Sequence, residues 1–114
     1  MIGPIRCVTV TVPDLDHAVD TYQRYLGYEP FHDERLPTAQ ADYLGAPALA
    51  GAATALLRPA GGGDFCFRFI SQSLPPAYRP LTTWGWNAAE LIVQDVDGLA
   101  AQLEGSPFRI VGPP

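Results

Sequence analysis

The sequence is short of cysteine, of positive charge and of long apolar runs, and each shortage closes off a class of protein. Cys7 and Cys66 are the only cysteines. They lack CxxC spacing and are too few for the disulfide framework of a small secreted domain, so both are expected to be free thiols. Seven Lys and Arg residues stand against 12 Asp and Glu, for a formal net charge of −5. Nucleic-acid affinity rests mainly on basic side chains neutralising phosphates, so no nucleic-acid partner is expected. No stretch reaches the roughly 18 apolar residues that suggest a membrane helix, and the first residues lack the charged-then-apolar layout of a signal peptide. No membrane association is expected, and a cytoplasmic location is.

What remains is ordinary globular material. The 114 residues are 47% hydrophobic and 17% charged, which excludes a disordered chain and suits a single domain. Twelve prolines and 11 glycines promise many turns, so the fold is expected to be mixed and rich in loops.

One stretch is used twice. Cys7-Val8-Thr9-Val10-Thr11-Val12-Pro13-Asp14-Leu15-Asp16 and Ala88-Ala89-Glu90-Leu91-Ile92-Val93-Gln94-Asp95-Val96-Asp97 superpose so that Val12 falls on Val93, Asp14 on Asp95 and Asp16 on Asp97. Each copy reads as a strand running into a helix. In the first copy Val8, Val10 and Val12 alternate with Cys7, Thr9 and Thr11, the pattern of a half-buried strand over 5–12. Asp14 sits where an N-cap belongs and Asp16 adds favourable charge to the first turn. Leu15, Ala18, Val19, Tyr22 and Leu26 then follow at helical spacing, and Gly27 supplies the stop. The second copy repeats this with a strand over 88–93, a cap at Asp95, a helix carrying Val96, Leu99, Ala100 and Leu103, and a stop at Gly105.

Between the copies, 28–36 reads as an edge strand, since Pro30 and the charged run His32-Asp33-Glu34-Arg35 suit a solvated edge. The alanine-rich segment 37–51 suggests a short helix, with Thr38 as its cap, followed by loop. Strands are expected over 52–58 and 65–71, joined by a turn at Gly61-Gly62-Gly63. That triplet is no phosphate loop, because no Lys-Ser/Thr or helix follows it. Residues 72–87 form an irregular crossover, and 108–111 reads as a last strand.

The order strand, helix, strand, strand, strand, then a new strand and helix with Val-x-Asp-[Leu/Val]-Asp at each corner, resembles the vicinal oxygen chelate superfamily. That group holds glyoxalase I, extradiol dioxygenases and bleomycin resistance proteins, and Tyr25-Leu26-Gly27-Tyr28 is similar to its LGF/LGY turn. The resemblance implies an α+β fold: a βαβββ module over 1–72, a linker over 73–86 and the start of a second, incomplete module over 87–114. A chain of this layout is expected to be a truncated form or cleavage product of a longer protein, and to dimerise to cover its open edges.

In that superfamily two such modules enclose a cavity, and the metal, where present, takes ligands from the first and last strands of each module. The matching positions here are Cys7, Ala88 and, approximately, Arg68. Alanine and arginine offer no lone pair and one thiolate does not hold a divalent metal, so neither metal nor other cofactor is expected. The resemblance then favours the bleomycin-resistance mode, in which a small organic molecule is bound without chemistry. A lyase, isomerase or dioxygenase using Glu90 as a general base is the rival, and a ferredoxin-like regulatory or dimerisation module a second.

Strand parity names the expected cavity lining. If the valines of the first strand face the helix, Cys7 and Thr9 face inward, as do Cys66 and Arg68, then Ala88 and Glu90, with Trp86 at the mouth. Each has a plainer reading beside its functional one. Arg68 and Glu90 form either a structural ion pair or a polar ligand contact, since a buried charge must be paired. Cys7 and Cys66 are small core residues, or else a redox pair or catalytic thiol. Trp84 and Trp86 either stack on a ligand or are buried in an interface. His32, Asp33 and Glu34 have metal-ligand composition, but consecutive strand residues point to alternate sides, which suits a solvated edge.

Overall fold

The computed structural model describes residues 2–82, 84–85 and 88–112. The chain divides into two units, residues up to Tyr78 and residues from Arg79 onward.

The first unit runs β1 (Cys7–Val12), α1 (Leu15–Leu26), β2 (Tyr28–Arg35), α2 (Thr38–Tyr43), a 3₁₀ turn (Pro47–Leu49), β3 (Ala53–Pro59) and β4 (Cys66–Ser71). Its four strands form one sheet in the order β1-β4-β3-β2. β1 runs parallel to β4, and the other pairs are antiparallel. This is the βαβββ module expected from the sequence.

The opening corner forms for the reasons its residues suggest. Asp14, in an extended conformation, accepts from the His17 amide at 2.9 Å, and Gly27 closes α1 in the left-handed region at φ 65°. Leu15, Ala18, Val19, Tyr22 and Leu26 then lay one stripe of α1 on a core of Tyr28, Ala55, Leu57, Phe67 and Phe69, with Val8 and Val12 beside it. Tyr22 meets Phe67 and Phe69 edge-on, at 5.4 and 4.8 Å between ring centroids. Each fully buried Phe or Leu contributes about 1.5–3 kcal/mol through the water it sheds, so this face of the sheet carries most of the unit's stability.

A second, smaller cluster sits on the opposite face. Leu36, Ala41 and Leu49 bury Ile70 there, with Ala46 and Ala52 at the margin. The short helix expected in this segment forms, but Thr38 is its first residue and not its cap: Pro37 occupies the cap position and no side chain bonds to the first turn. β2 is the outer strand and carries its charges in solvent. Its register slips between Pro30 and His32, and the Arg58 guanidinium lies 5.4 Å over the Phe31 ring.

In the second unit α3 (Val96–Leu103) repeats the opening corner. Asp95 (φ −132°, ψ 94°) accepts from the Gly98 amide at 2.9 Å, against φ −130° and ψ 102° at Asp14. The capped start of the helix is thus repeated, while the strand that precedes Asp14 has no counterpart before Asp95. The strands expected over 88–93 and 108–111 do not form. Alternation states which side chains would share a face, but a strand also needs a neighbour for its backbone donors and acceptors. No strand among the described residues of this unit supplies one.

Candidate functional site

Alternation along the sheet sorts its side chains into a face under α1 and an open face. Ala55, Leu57, Phe67 and Phe69 occupy the first. The other parity places Cys7, Thr9 and Thr11 of β1 beside Cys66, Arg68 and Ile70 of β4 on the second, paired as Cys7–Cys66, Thr9–Arg68 and Thr11–Ile70. β3 adds Thr54 opposite Ile70 and Leu56 opposite Arg68, and β2 adds His32 opposite Leu56. A single row therefore crosses the open face as Thr9, Arg68, Leu56, His32. The α2 segment covers this face at its Ile70 end.

Of the seven expected site residues, the structure brings together Cys7, Thr9, Cys66 and Arg68, two by two across one ladder. Ala88 and Glu90 lie exposed in the second unit on a segment that forms no strand. Trp86 lies outside the described residues. Leu56, Arg58 and His32 are neighbours that the sequence reading missed. Their signal was present in the parity of β3, where Ala55 and Leu57 are the small and branched residues fit for the helix side.

Arg68 is the unusual charge of this face. Its Nε is buried and has no hydrogen-bond partner. Every other arginine of the first unit is engaged: Arg6 with Asp64, Arg24 with Asp20, Arg58 with Glu29 at 2.9 Å, and Arg35 donating to the Gly51 carbonyl. His32 Nε2 lies 3.2 Å from Glu34 Oε2, so the acidic residues that share the outer strands of this face are also taken. The Cys66 thiol is pushed up to about 11, mainly by burial and further by the Cys7 thiol, with Arg68 pulling the other way. At neutral pH it is a neutral thiol and leaves the Arg68 charge uncompensated.

Comparison with solved structures identifies the architecture. A glyoxalase family protein from Bacillus cereus superposes with a TM-score of 0.62 over 98% of this chain and 77% of its own, at 18% identity. SMU.1112c superposes with a TM-score of 0.55 over 92% of this chain and 75% of its own, also at 18% identity. The fold is glyoxalase-like. No protein-family profile and no curated protein matches the sequence.

Within this glyoxalase-like fold, the positions to which the resemblance assigns metal ligands hold Cys7, Arg68 and, in the second unit, Ala88. A guanidinium and a methyl group supply no lone pair, and the described residues contain no cluster of three or more His, Cys, Asp or Glu side chains.

A groove of about 510 Å³ opens on the other side of the glyoxalase-like sheet, between α1 and the strands β2 and β3. Asp16, Asp20, Asp33, Glu34 and Arg35 rim it. Leu15, Val19, Pro30, Ala53 and Ala55 also line it, and Asp20 already holds Arg24. The unsatisfied guanidinium nitrogen lies on the open face instead, and that face is the better candidate.

Proposed function

We propose that this chain is a cytoplasmic, metal-free binding protein that holds a small organic molecule against the open face of its glyoxalase-like sheet. The observation that carries this reading is the row Thr9, Arg68, Leu56, His32, which mixes a hydroxyl, a charge and an apolar side chain on a face that α1 does not cover. Ligand sites are commonly built this way, from apolar surface with a few fixed polar groups. A thermal-shift screen with aromatic, polyketide-like and thiol-conjugate compounds, followed by elemental analysis of the purified protein, tests it. Hits that shift the melting temperature of wild type but not of a Leu56→Asp variant support the reading. A stoichiometric transition metal overturns it in favour of a lyase, isomerase or dioxygenase.

The same chain is proposed to act as a homodimer. β1 has a single neighbour in the sheet, and an open edge is a template for a strand from another chain. In the second unit Leu91, Ile92 and Val93 are exposed, with the alternation of a strand and no partner. Light scattering at micromolar concentration distinguishes the cases, and a clean monomer refutes the dimer.

A further inference from the structure

We infer that the open face recognises a monoanionic organic carboxylate, gripped by the Arg68 guanidinium with the Thr9 hydroxyl beside it and the ligand's apolar body over Leu56. This rests on the ligand-binding reading above and narrows it to one class of ligand.

Three observations converge on the charge of the missing group. First, a guanidinium presents its donors as a rigid planar fork, and a buried donor left unmade is costly, yet Arg68 Nε is buried and bonds to nothing. Second, no anion among the described residues satisfies it. Arg68 forms no ion pair with the described residues, and Glu29 and Glu34 are occupied by Arg58 and His32. Third, the neighbour best placed to become an anion does not. Cys66, two residues away on the same strand and face, is held protonated by burial and by Cys7. The cation is thus kept available at neutral pH while every local means of neutralising it is withdrawn.

The surroundings select among anions. One guanidinium balances one negative charge, and a planar carboxylate matches its fork with two parallel hydrogen bonds. A dianionic phosphate would leave a surplus charge against Leu56 in a protein of net charge −5. Leu56 stands directly opposite Arg68 on β3 and is only partly buried. An uncharged hydrocarbon or aromatic body fits that ground.

Benzoate and its neutral isostere benzamide test the inference on the full chain by isothermal titration calorimetry, with phenyl phosphate as a third probe. Wild type is expected to bind benzoate roughly tenfold or more tightly than benzamide, as charge-assisted hydrogen bonds require. Arg68→Met should bring benzoate down to the benzamide level, and Arg68→Lys should retain only part of the preference, because an ammonium is a point charge and not a fork. Far-UV circular dichroism checks that each variant folds. In the wild type the Arg68 Nε–H resonance should also shift on adding benzoate, a readout that needs no variant. Equal affinity for benzoate and benzamide, or tighter binding of phenyl phosphate, overturns the carboxylate assignment and leaves ligand binding intact. Failure of all three probes, with hits of other chemistry in the wider screen, likewise overturns this inference alone. Failure of every compound overturns both.

Discussion

Cys7 and Cys66 are register partners on the parallel strands β1 and β4, with both thiols on the open face. Burial first, and the Cys7 thiol second, raise Cys66 from the usual 9.0 to about 11. Only the thiolate reacts with alkylating agents. Cys66 is therefore expected to react with iodoacetamide at pH 8 about 100-fold more slowly than an unperturbed thiol, the factor by which its thiolate fraction falls. Peptide mapping of a labelling time course measures this. The linkage has a definite sign. A thiol raised on folding stabilises the protein fully below pH 9.0 and loses that contribution as pH rises through about 11. The melting temperature of wild type should fall between those values more steeply than that of Cys66→Ser.

The same pairing makes a cross-link geometrically accessible. Neighbouring strands lie about 4.8 Å apart, inside the roughly 4.4–6.8 Å range of Cα separations in disulfides. Treatment with diamide should therefore convert both thiols to one intrachain disulfide, their two electrons and two protons passing to the diazene to give the hydrazine. Closing the loop from Cys7 to Cys66 should stabilise the protein by about 4 kcal/mol on the chain-entropy model. Thiol titration and a melting curve before and after oxidation provide the check. Two titratable thiols persisting after diamide would show that the side-chain orientation forbids the bond.

Most of the first unit was legible because short-range chemistry decides it. Asp14, the Leu15-to-Leu26 stripe and Gly27 mark both ends and the buried side of α1, and the alternation of Phe65, Phe67 and Phe69 marks β4. Parity then placed Cys7, Thr9, Cys66 and Arg68 on one face correctly, since it requires only that the strands exist. It failed where existence depended on a partner. Residues 88–93 align with β1 in the repeat, yet β1 is a strand because β4 lies beside it, and nothing local to 88–93 encodes a neighbour. The Arg68 surroundings were half legible for a related reason. Which residues of β3 stand opposite β4 follows from the turn at Gly61 to Gly63, and that register is a tertiary fact.

The two matching helix caps should differ in what they stabilise. Asp14→Ala removes the acceptor for the His17 amide at the head of a helix that covers the main core. A loss of about 1 kcal/mol in global stability is expected, with Asp14→Asn nearly neutral. Asp95→Ala removes the same bond from α3, a helix with no buried residue. Its effect should be confined to faster amide exchange within Val96–Leu103, with urea midpoints of the first unit unchanged. Equal losses from both substitutions would mean that the two units unfold as one.

Phe67 is where the core should be least forgiving. It lies at the middle of the sheet, 2% exposed, with ring centroids of Tyr22, Tyr28, Phe65 and Phe69 all within 6 Å. Its pairing with Val8 on one side and Leu57 on the other leaves no flexible surface to collapse into a void. Phe67→Ala should therefore cost about 3–5 kcal/mol, a large share of the roughly 5–15 kcal/mol typical of a small domain. Phe67→Leu keeps most of the volume but gives up the edge-on contact with Tyr22, and should cost clearly less. Urea denaturation followed by the Tyr22 and Tyr28 absorbance would rank the two. If Phe67→Ala were no worse than Phe67→Leu, the aromatic cluster under α1 would not be the centre of the fold.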